Sequence, residues 1–184
     1  MKPTFETERL ILRPARAGDV DHLLALDEDP EVRRFVDQPE PPTREWSERL
    51  LARFAQFDVE TPAIGYWMAE EKQQGGAPAR FVGWFQLRPP RAGEPQNPGD
   101  QELGYRLRRD AWGRGLATEG SRALIAHAFE TLGAPRVTAF ALWENRASVA
   151  VMQKLGLTHA LDWTYRSKAG EPVPAVLYAL DRGG

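Results

Sequence analysis

The stretch Asp110-Ala111-Trp112-Gly113-Arg114-Gly115-Leu116-Ala117-Thr118-Glu119 joins a segment that reads as a strand, Glu102 to Leu107, to one that reads as a helix, Ala117 to Leu132. Leu124, Ile125, Ala128, Phe129 and Leu132 fall on one face of that helix. Beyond it, Arg136 to Trp143 is apolar at both alternating positions, as a strand buried on both faces should be. Strand, helix and buried strand in this order imply a right-handed parallel crossover. Gly113 and Gly115 let the backbone turn tightly and come close to a ligand. The helix start offers unpaired N–H groups at the positive end of its dipole, a ready phosphate site. On the glycines alone, a tight turn before a core helix accounts for the stretch equally well. Three other nucleotide or nucleophile motifs fail: the next glycine is Gly120, not a third Rossmann position; no Gly-Lys-Ser/Thr occurs; and Gly120-Ser121 lacks the second glycine of a nucleophile elbow.

Outward from this unit, Leu10-Ile-Leu12 reads as a short strand stopped by Pro14. Asp19 is the expected N-cap of a helix running to about Asp29, with Leu23, Leu24 and Leu26 as its apolar positions. Val32 to Phe35 suggests a short second helix, and the proline-rich Pro39 to Pro42 a break. Thr43 then caps a helix carrying Trp46, Leu50, Phe54 and Phe57 at helical spacing. Ala63 to Glu70 and Arg80 to Leu87 read as an antiparallel hairpin, and Pro89 to Asp100, with its four prolines, as a loop. Towards the other end, Asn145 can cap a helix from Arg146 to Leu155 that stops at Gly156. Leu157 to Tyr165 and Val173 to Leu180 close the sheet around the turn Lys168-Ala-Gly-Glu171. The expected fold is α+β: a mixed, mostly antiparallel central sheet with one parallel βαβ crossover and flanking helices. Its order is β-α-α-β-β-β-α-β-α-β-β, in a single domain over residues 1–184.

Composition narrows the chemistry. A length of 184 residues, 42% hydrophobic and 27% charged, suits one globular domain. A net charge of −2 supplies no field to draw in nucleic acid or anionic lipid, so neither is an expected partner. The absence of cysteine excludes disulfides, thiolate metal sites and a cysteine nucleophile. His22, His127 and His159 are isolated, so no metal is expected; His22 and His127 read as surface or satisfied core residues. The first residues have no apolar h-region, and no apolar run approaches the ~20 residues of a membrane span. A soluble, cytoplasmic protein is the expectation.

Three motifs in order carry a resemblance: Thr7-Glu-Arg-Leu10-Ile-Leu-Arg-Pro14, Trp112-Gly-Arg-Gly-Leu-Ala-Thr-Glu119, and Glu144-Asn-Arg-Ala-Ser148 followed by Met152-Gln-Lys-Leu-Gly156. Together they resemble the GCN5-related N-acetyltransferase superfamily over nearly the whole chain, in the branch of ribosomal-protein N-terminal acetyltransferases. The resemblance implies acetyl-CoA as co-substrate, its pyrophosphate on Gly113, Arg114, Gly115, Leu116, Ala117 and Thr118. Trp112 stands where the family has Arg or Gln, but backbone donors need no particular side chain. The pantetheine arm would pair near Leu107 like an added strand, and Asn145 matches a cofactor-contacting asparagine. Helix-end effects of about 0.3–2 kcal/mol each fall short of the roughly 8 kcal/mol of micromolar binding, so both contacts are needed.

Acetyl transfer to an amine needs a base for the amine proton and a donor for the leaving thiolate. Glu102, at the start of the strand that would carry the cofactor's reactive end, could take that proton directly or through water, though a solvated strand-end carboxylate explains it equally; Glu119 is a rival that more simply complements the helix dipole. Many relatives donate from a tyrosine on the last helix; here Met152 stands in that place and cannot, and Ser148 matches a serine used instead. Trp46 and Trp67 could line an acceptor pocket, and acidic Glu28, Asp29, Glu31, Asp37 and Glu40 could draw a cationic amine, though a solvated face explains them equally. The implied activity is acetyl transfer to a primary amine by direct attack. A protein or peptide N-terminal amine is the expected acceptor; a small-molecule amine acetyltransferase, or a catalytically silent acyl-CoA sensor, are the alternatives. Whether the chain forms a homodimer stays open.

Overall fold

The computed structural model describes residues 1–37, 42–91 and 93–183. Pro39, Glu40 and Pro41, from the expected break and acidic group, lie outside the described residues. The strands are β1 (Phe5–Glu6), β2 (Leu10–Arg13), β3 (Gly65–Glu71), β4 (Arg80–Arg88), β5 (Gln101–Leu107), β6 (Arg136–Leu142), β7 (Thr158–Arg166) and β8 (Pro172–Asp181). Helices α1 (Val20–Glu28), α2 (Pro30–Arg33) and α3 (Arg44–Glu60) lie between β2 and β3; α4 (Leu116–Ala126) joins β5 to β6, and α5 (Arg146–Lys154) joins β6 to β7. Among the described residues these strands form one sheet in the order β1-β2-β3-β4-β5-β6-β8-β7. The β5–β6 pair is parallel and every other neighbouring pair antiparallel. The expected mixed α+β sheet and its parallel crossover are therefore present. The short second helix expected at Val32 to Phe35 is present as α2, starting two residues earlier, whereas β1 and the wedging of β8 between β6 and β7 were not foreseen.

Period-two alternation gives the sheet two apolar faces. Along β3, Trp67 and Ala69 join the core under α4 and α5, with Leu12, Phe85, Leu107, Leu116, Leu124 and Met152. Tyr66 and Met68 point the other way, into a second core with Leu23, Leu26, Leu51, Phe54 and Trp84 under α1 and α3. Burying side chains of this kind contributes roughly 1.5–3 kcal/mol each. Trp67 is wholly buried, donates its indole N–H to the Pro3 carbonyl at 2.8 Å, and has the Lys2 ammonium 3.9 Å over its ring. It is a core residue and lines no acceptor pocket.

Local signals placed most helix starts. Thr43 Oγ1 accepts the Trp46 N–H at 3.2 Å, and Asn145 Oδ1 the Ser148 N–H at 3.1 Å. Asp19 holds the expected N-cap position of α1, but its carboxylate bonds no N–H of that helix; it pairs with Arg13 at 2.8 Å through both oxygens and accepts the Arg16 N–H at 2.7 Å, closing the capping box of the turn before α1. The helix expected to Leu132 is α-helical to Ala126 and then widens into a π turn, His127 to Thr131, closed by the Leu132 N–H on the His127 carbonyl at 3.1 Å. In that turn His127 Nε2 lies 2.7 Å from the Ala63 carbonyl, a satisfied core histidine, while exposed His22 stacks on Phe81.

Candidate active site

The site begins where the parallel pair opens. β5 and β6 share register at Gln101–Val137 and Glu102–Thr138 and then part. On its other side β5 stays paired with β4 to the end, and the Arg108 N–H donates to Val82 O. That ladder bond fixes the parity of β5: Tyr105 and Leu107 turn their N–H and C=O groups away from β4, towards the gap. Leu107 C=O accepts the Trp112 indole N–H there at 2.9 Å, which leaves its N–H and one lone pair facing the opening. The gap is an extended backbone edge flanked by α4 and α5, a shape that admits one more strand-like arm.

At one end of the gap lies the start of α4. Gly115 takes φ +80° as its N-cap and Gly113 φ +69°, conformations an L side chain rarely adopts. No side chain caps α4, so the N–H groups of Leu116, Ala117 and Thr118 stay available. Gly120 lets this end sit close on the sheet, since a Cβ there would fall 2.5 Å from Phe85 Cζ. Side chains pin the loop from both sides. Glu119 accepts from Thr7 Oγ1 at 2.6 Å and from Arg9 N and Nε at 2.7 Å, while Arg9 Nη1 donates to the Arg114 carbonyl at 2.8 Å. Burial opposes the Glu119 charge, but the Thr7 and Arg9 hydrogen bonds outweigh it and hold the carboxyl below its usual range. A carboxylate so fully engaged is a clamp, not a base. The Arg114 guanidinium is bound to Glu71, which also pairs with Arg80. Arg114 therefore offers the loop its backbone, with its side chain committed elsewhere.

Glu102, near the start of β5, is buried on the α1–α3 face of the sheet. Its Oε1 accepts from Gln86 Nε2 at 2.7 Å and Arg88 Nη2 at 2.9 Å. Burial, helped by a hydrogen bond shared with Glu94, outweighs Arg88 and pushes the Glu102 carboxyl up to about 8. A carboxyl with such a value can take and return a proton near neutral pH.

Ser148 sits in the first turn of α5, on the opposite side of β5 from Glu102. Its Oγ is 3.4 Å from the Tyr105 hydroxyl, a long hydrogen bond spanning the gap, with Tyr105 as donor. Burial, the larger influence, raises the Tyr105 phenol despite the Ser148 contact, so it remains protonated at neutral pH. Asn145 spends its side-chain oxygen on the cap and keeps its NH₂. Met152 is in the core. The structure thus brings Leu107, Ser148, Asn145 and Tyr105 around one gap with the α4 loop at its end, and sets Glu102 on the other face of β5. Tyr105 was missed in the sequence. Its signal was parity, two residues before Leu107 on the same side of the strand.

On the face of Glu102, β7 and β6 contribute Trp163, Tyr165 and Phe140, with ring centroids about 6 Å apart. Asp37 receives the Tyr165 hydroxyl and the Lys168 N–H, and the Lys168 ammonium lies 5.3 Å over half-buried Trp46. Of the acidic residues expected to draw a cation, Asp37 is thus occupied in tying the β7–β8 turn to the segment after α2.

A family model for the acetyltransferase (GNAT) domain matches residues 9–158. The FsC-acetyl coenzyme A-N(2)-transacetylase of Aspergillus fumigatus is 33% identical over 178 residues, 95% of this chain and 72% of that protein. An uncharacterized N-acetyltransferase of Bacillus subtilis is 24% identical over 181 residues, 98% of this chain and 97% of its own. Among solved structures, a GNAT-family acetyltransferase from Bacillus anthracis superposes with a TM-score of 0.81 at 16% identity, covering 99% of this chain and 100% of that one. The ribosomal-protein-S5-alanine acetyltransferase of Vibrio fischeri superposes at 0.78 with 15% identity, covering 99% and 98%. Among the described residues no helix is long and apolar enough to cross a membrane. With an uncapped helix start beside an open strand edge, and a family match over most of its length, the chain belongs to the GNAT family of acetyl-CoA-dependent N-acetyltransferases.

Proposed function

We propose that this enzyme moves the acetyl group of acetyl-CoA directly onto a primary amine of a small molecule. The carrying observation is the parted β5–β6 edge beside the uncapped start of α4, with a buried carboxyl on one face of β5 and a hydroxyl pair on the other. The backbone N–H groups at Gly113 to Thr118 suit the pyrophosphate, and the edge at Leu107 suits the pantetheine amides. Glu102 takes the ammonium proton, and Ser148, backed by Tyr105, gives one to the departing thiolate. A chain without a cysteine to hold the acyl group supports direct attack. The A. fumigatus relative is named for transfer to an N(2) nitrogen, a locant for an atom of a discrete molecule. That name supports a small-molecule amine as acceptor over the protein N-terminus expected from the sequence. The test is thiol release from acetyl-CoA against small amines, amino acids and a peptide N-terminus. Turnover with peptides alone would return the acceptor to protein, and binding without any turnover would mark a silent sensor.

Two variants probe the assignments. Gly115→Val must hold a β-branched residue at φ +80°, so it should turn the N–H groups off the pyrophosphate. The loss of one charge-assisted hydrogen bond, about 1.5–3 kcal/mol, predicts acetyl-CoA affinity lower by roughly 10- to 150-fold in calorimetry. Unchanged affinity in a folded variant removes the loop from the binding site. Ser148→Ala should lower kcat by roughly 10- to 100-fold, near the bottom of the acid–base range, because a thiolate of pKa about 8.5 is a tolerable leaving group. Tyr105→Phe should cost less. The double variant should fall no further than Ser148→Ala, since the two hydroxyls act through one hydrogen bond. Additive losses would separate them. Weakened acetyl-CoA binding with kcat intact would leave Ser148 as a binding or capping residue.

A further inference from the structure

Glu102 has a second carboxyl beside it that this scheme does not use. Glu94 lies in the loop between β4 and β5, its side chain 10% exposed, and accepts the Arg91 N–H. The Arg88 guanidinium spans both acids: Nη2 stands 2.9 Å from Glu102 Oε1 and Nη1 3.5 Å from Glu94 Oε2, with Arg88 and Glu102 side chains 3% and 5% exposed. The two carboxyls thus flank one guanidinium, and each bears on the other's ionisation. An ionised carboxylate only accepts, so two carboxyls can share a hydrogen bond only with a proton between them. One guanidinium against two carboxylates gives a buried net charge of −1; adding one proton makes the cluster neutral, which burial favours.

We propose that Glu94 and Glu102 form one proton-sharing pair bridged by Arg88, in which Glu94 is the positioning residue that governs when Glu102 can accept the acceptor's proton. This rests on Glu102 being the base. In the neutral cluster the proton resides on Glu102, while the Arg91 N–H and Arg88 hold Glu94 ionised. Loss of that proton leaves a charge of −1 facing the acceptor, which attracts an ammonium. The N–H⁺ bond of the ammonium then breaks, its proton forms an O–H bond on Glu102, and the nitrogen keeps the electron pair with which it attacks. The pair returns to its neutral state and later releases the proton to solvent. The charged and titratable groups around the pair are Arg88 on β4, Arg91 in the loop, and Tyr165 on β7, which Asp37 engages from the segment after α2; Gln86 is a neutral donor.

The test is the pH profile of kcat/KM for wild type, Glu94→Gln and Glu102→Gln with one acceptor, whose own ionisation cancels in the ratios. Glu94→Gln removes the like charge and puts an amide donor in its place, so the acidic midpoint should fall by about one to three pH units with most of the plateau kept. A midpoint that does not move, while Glu102→Gln abolishes the limb, overturns the pairing and leaves Glu102 as base. If Glu102→Gln leaves the limb in place, the base assignment itself fails. Carboxyl-carbon NMR of glutamate-labelled wild type needs no variant: two resonances titrating through shared midpoints support the pair, and two independent single-step curves overturn it.

Discussion

Glu102→Gln lowers kcat/KM by about 10²- to 10⁴-fold at its worst, and the size of the loss depends on pH. With the carboxyl pushed up to about 8 by burial, wild type holds the proton on Glu102 in most molecules below that value. Its advantage over the amide therefore grows as pH rises towards 8. Above it, the advantage persists until free amine becomes abundant, near pH 10 for an acceptor with a lysine-like value. The ratio of the two profiles should rise, crest between those limits and decline. A flat ratio of one assigns the proton to water. Stability gives a second reading with a fixed sign. Relative to an unfolded carboxyl at 4.5, native Glu102 binds its proton more tightly, so its contribution is full below 4.5 and is lost as pH rises through 8. Between those values the thermal midpoint of wild type should fall relative to that of Glu102→Gln.

Asp19→Ala should cost about 3–5 kcal/mol, the price of stranding one partner of a buried ion pair. Arg13 and Asp19 side chains are 6% and 4% exposed; the guanidinium meets Asp19 through two nitrogens and Glu70 through Nε at 2.8 Å. Burial works against the Asp19 charge, but Arg13 and the Arg16 N–H outweigh it, so its carboxyl lies below 3.8. Its contribution is thus full above 3.8 and is lost as pH falls through the native value. Urea unfolding at pH 7 measures the cost. A loss under 1 kcal/mol would mean that Glu70 alone holds Arg13. Acetyl-CoA affinity of the molecules that remain folded should be unchanged, because the pair lies at the β2–α1 junction, away from the α4 loop.

How well a residue could be read from the chain depended on how far away its partner lay. Thr43 and Asn145 cap helices whose acceptor and donor are three residues apart, and both were legible. Asp19 looked like the same signal, yet Arg13 on the preceding strand claimed its carboxylate, since a buried guanidinium needs a charge more than a helix start needs a cap. Glu119 could be suspected of catalysis until Thr7 and Arg9, 110 or more residues away, were seen to occupy it. Gly113 and Gly115 announced the loop because their φ values are written into their residue type. Nothing local told that β5 and β6 would part after two paired residues, that Tyr105 would reach Ser148, or that Glu94 would meet Glu102. Those are products of register and packing between elements.

The position of β8 also governs the order in which the site comes into being. β6, one wall of the gap, is paired with β8 from Arg136 to Leu142, but β8 begins at Pro172 and leaves a ribosome after β6, α5 and β7. A nascent chain that has reached Lys154 already carries the loop, both acids and the hydroxyl pair. It still has β6 as a raw edge, open to any extended segment nearby. Completion of residues 172–181 covers that edge from the outside, so the gap on the inner side is what remains of β6 for a strand-like arm. A strand made after the residues of the site thus turns a hazard during synthesis into a binding edge.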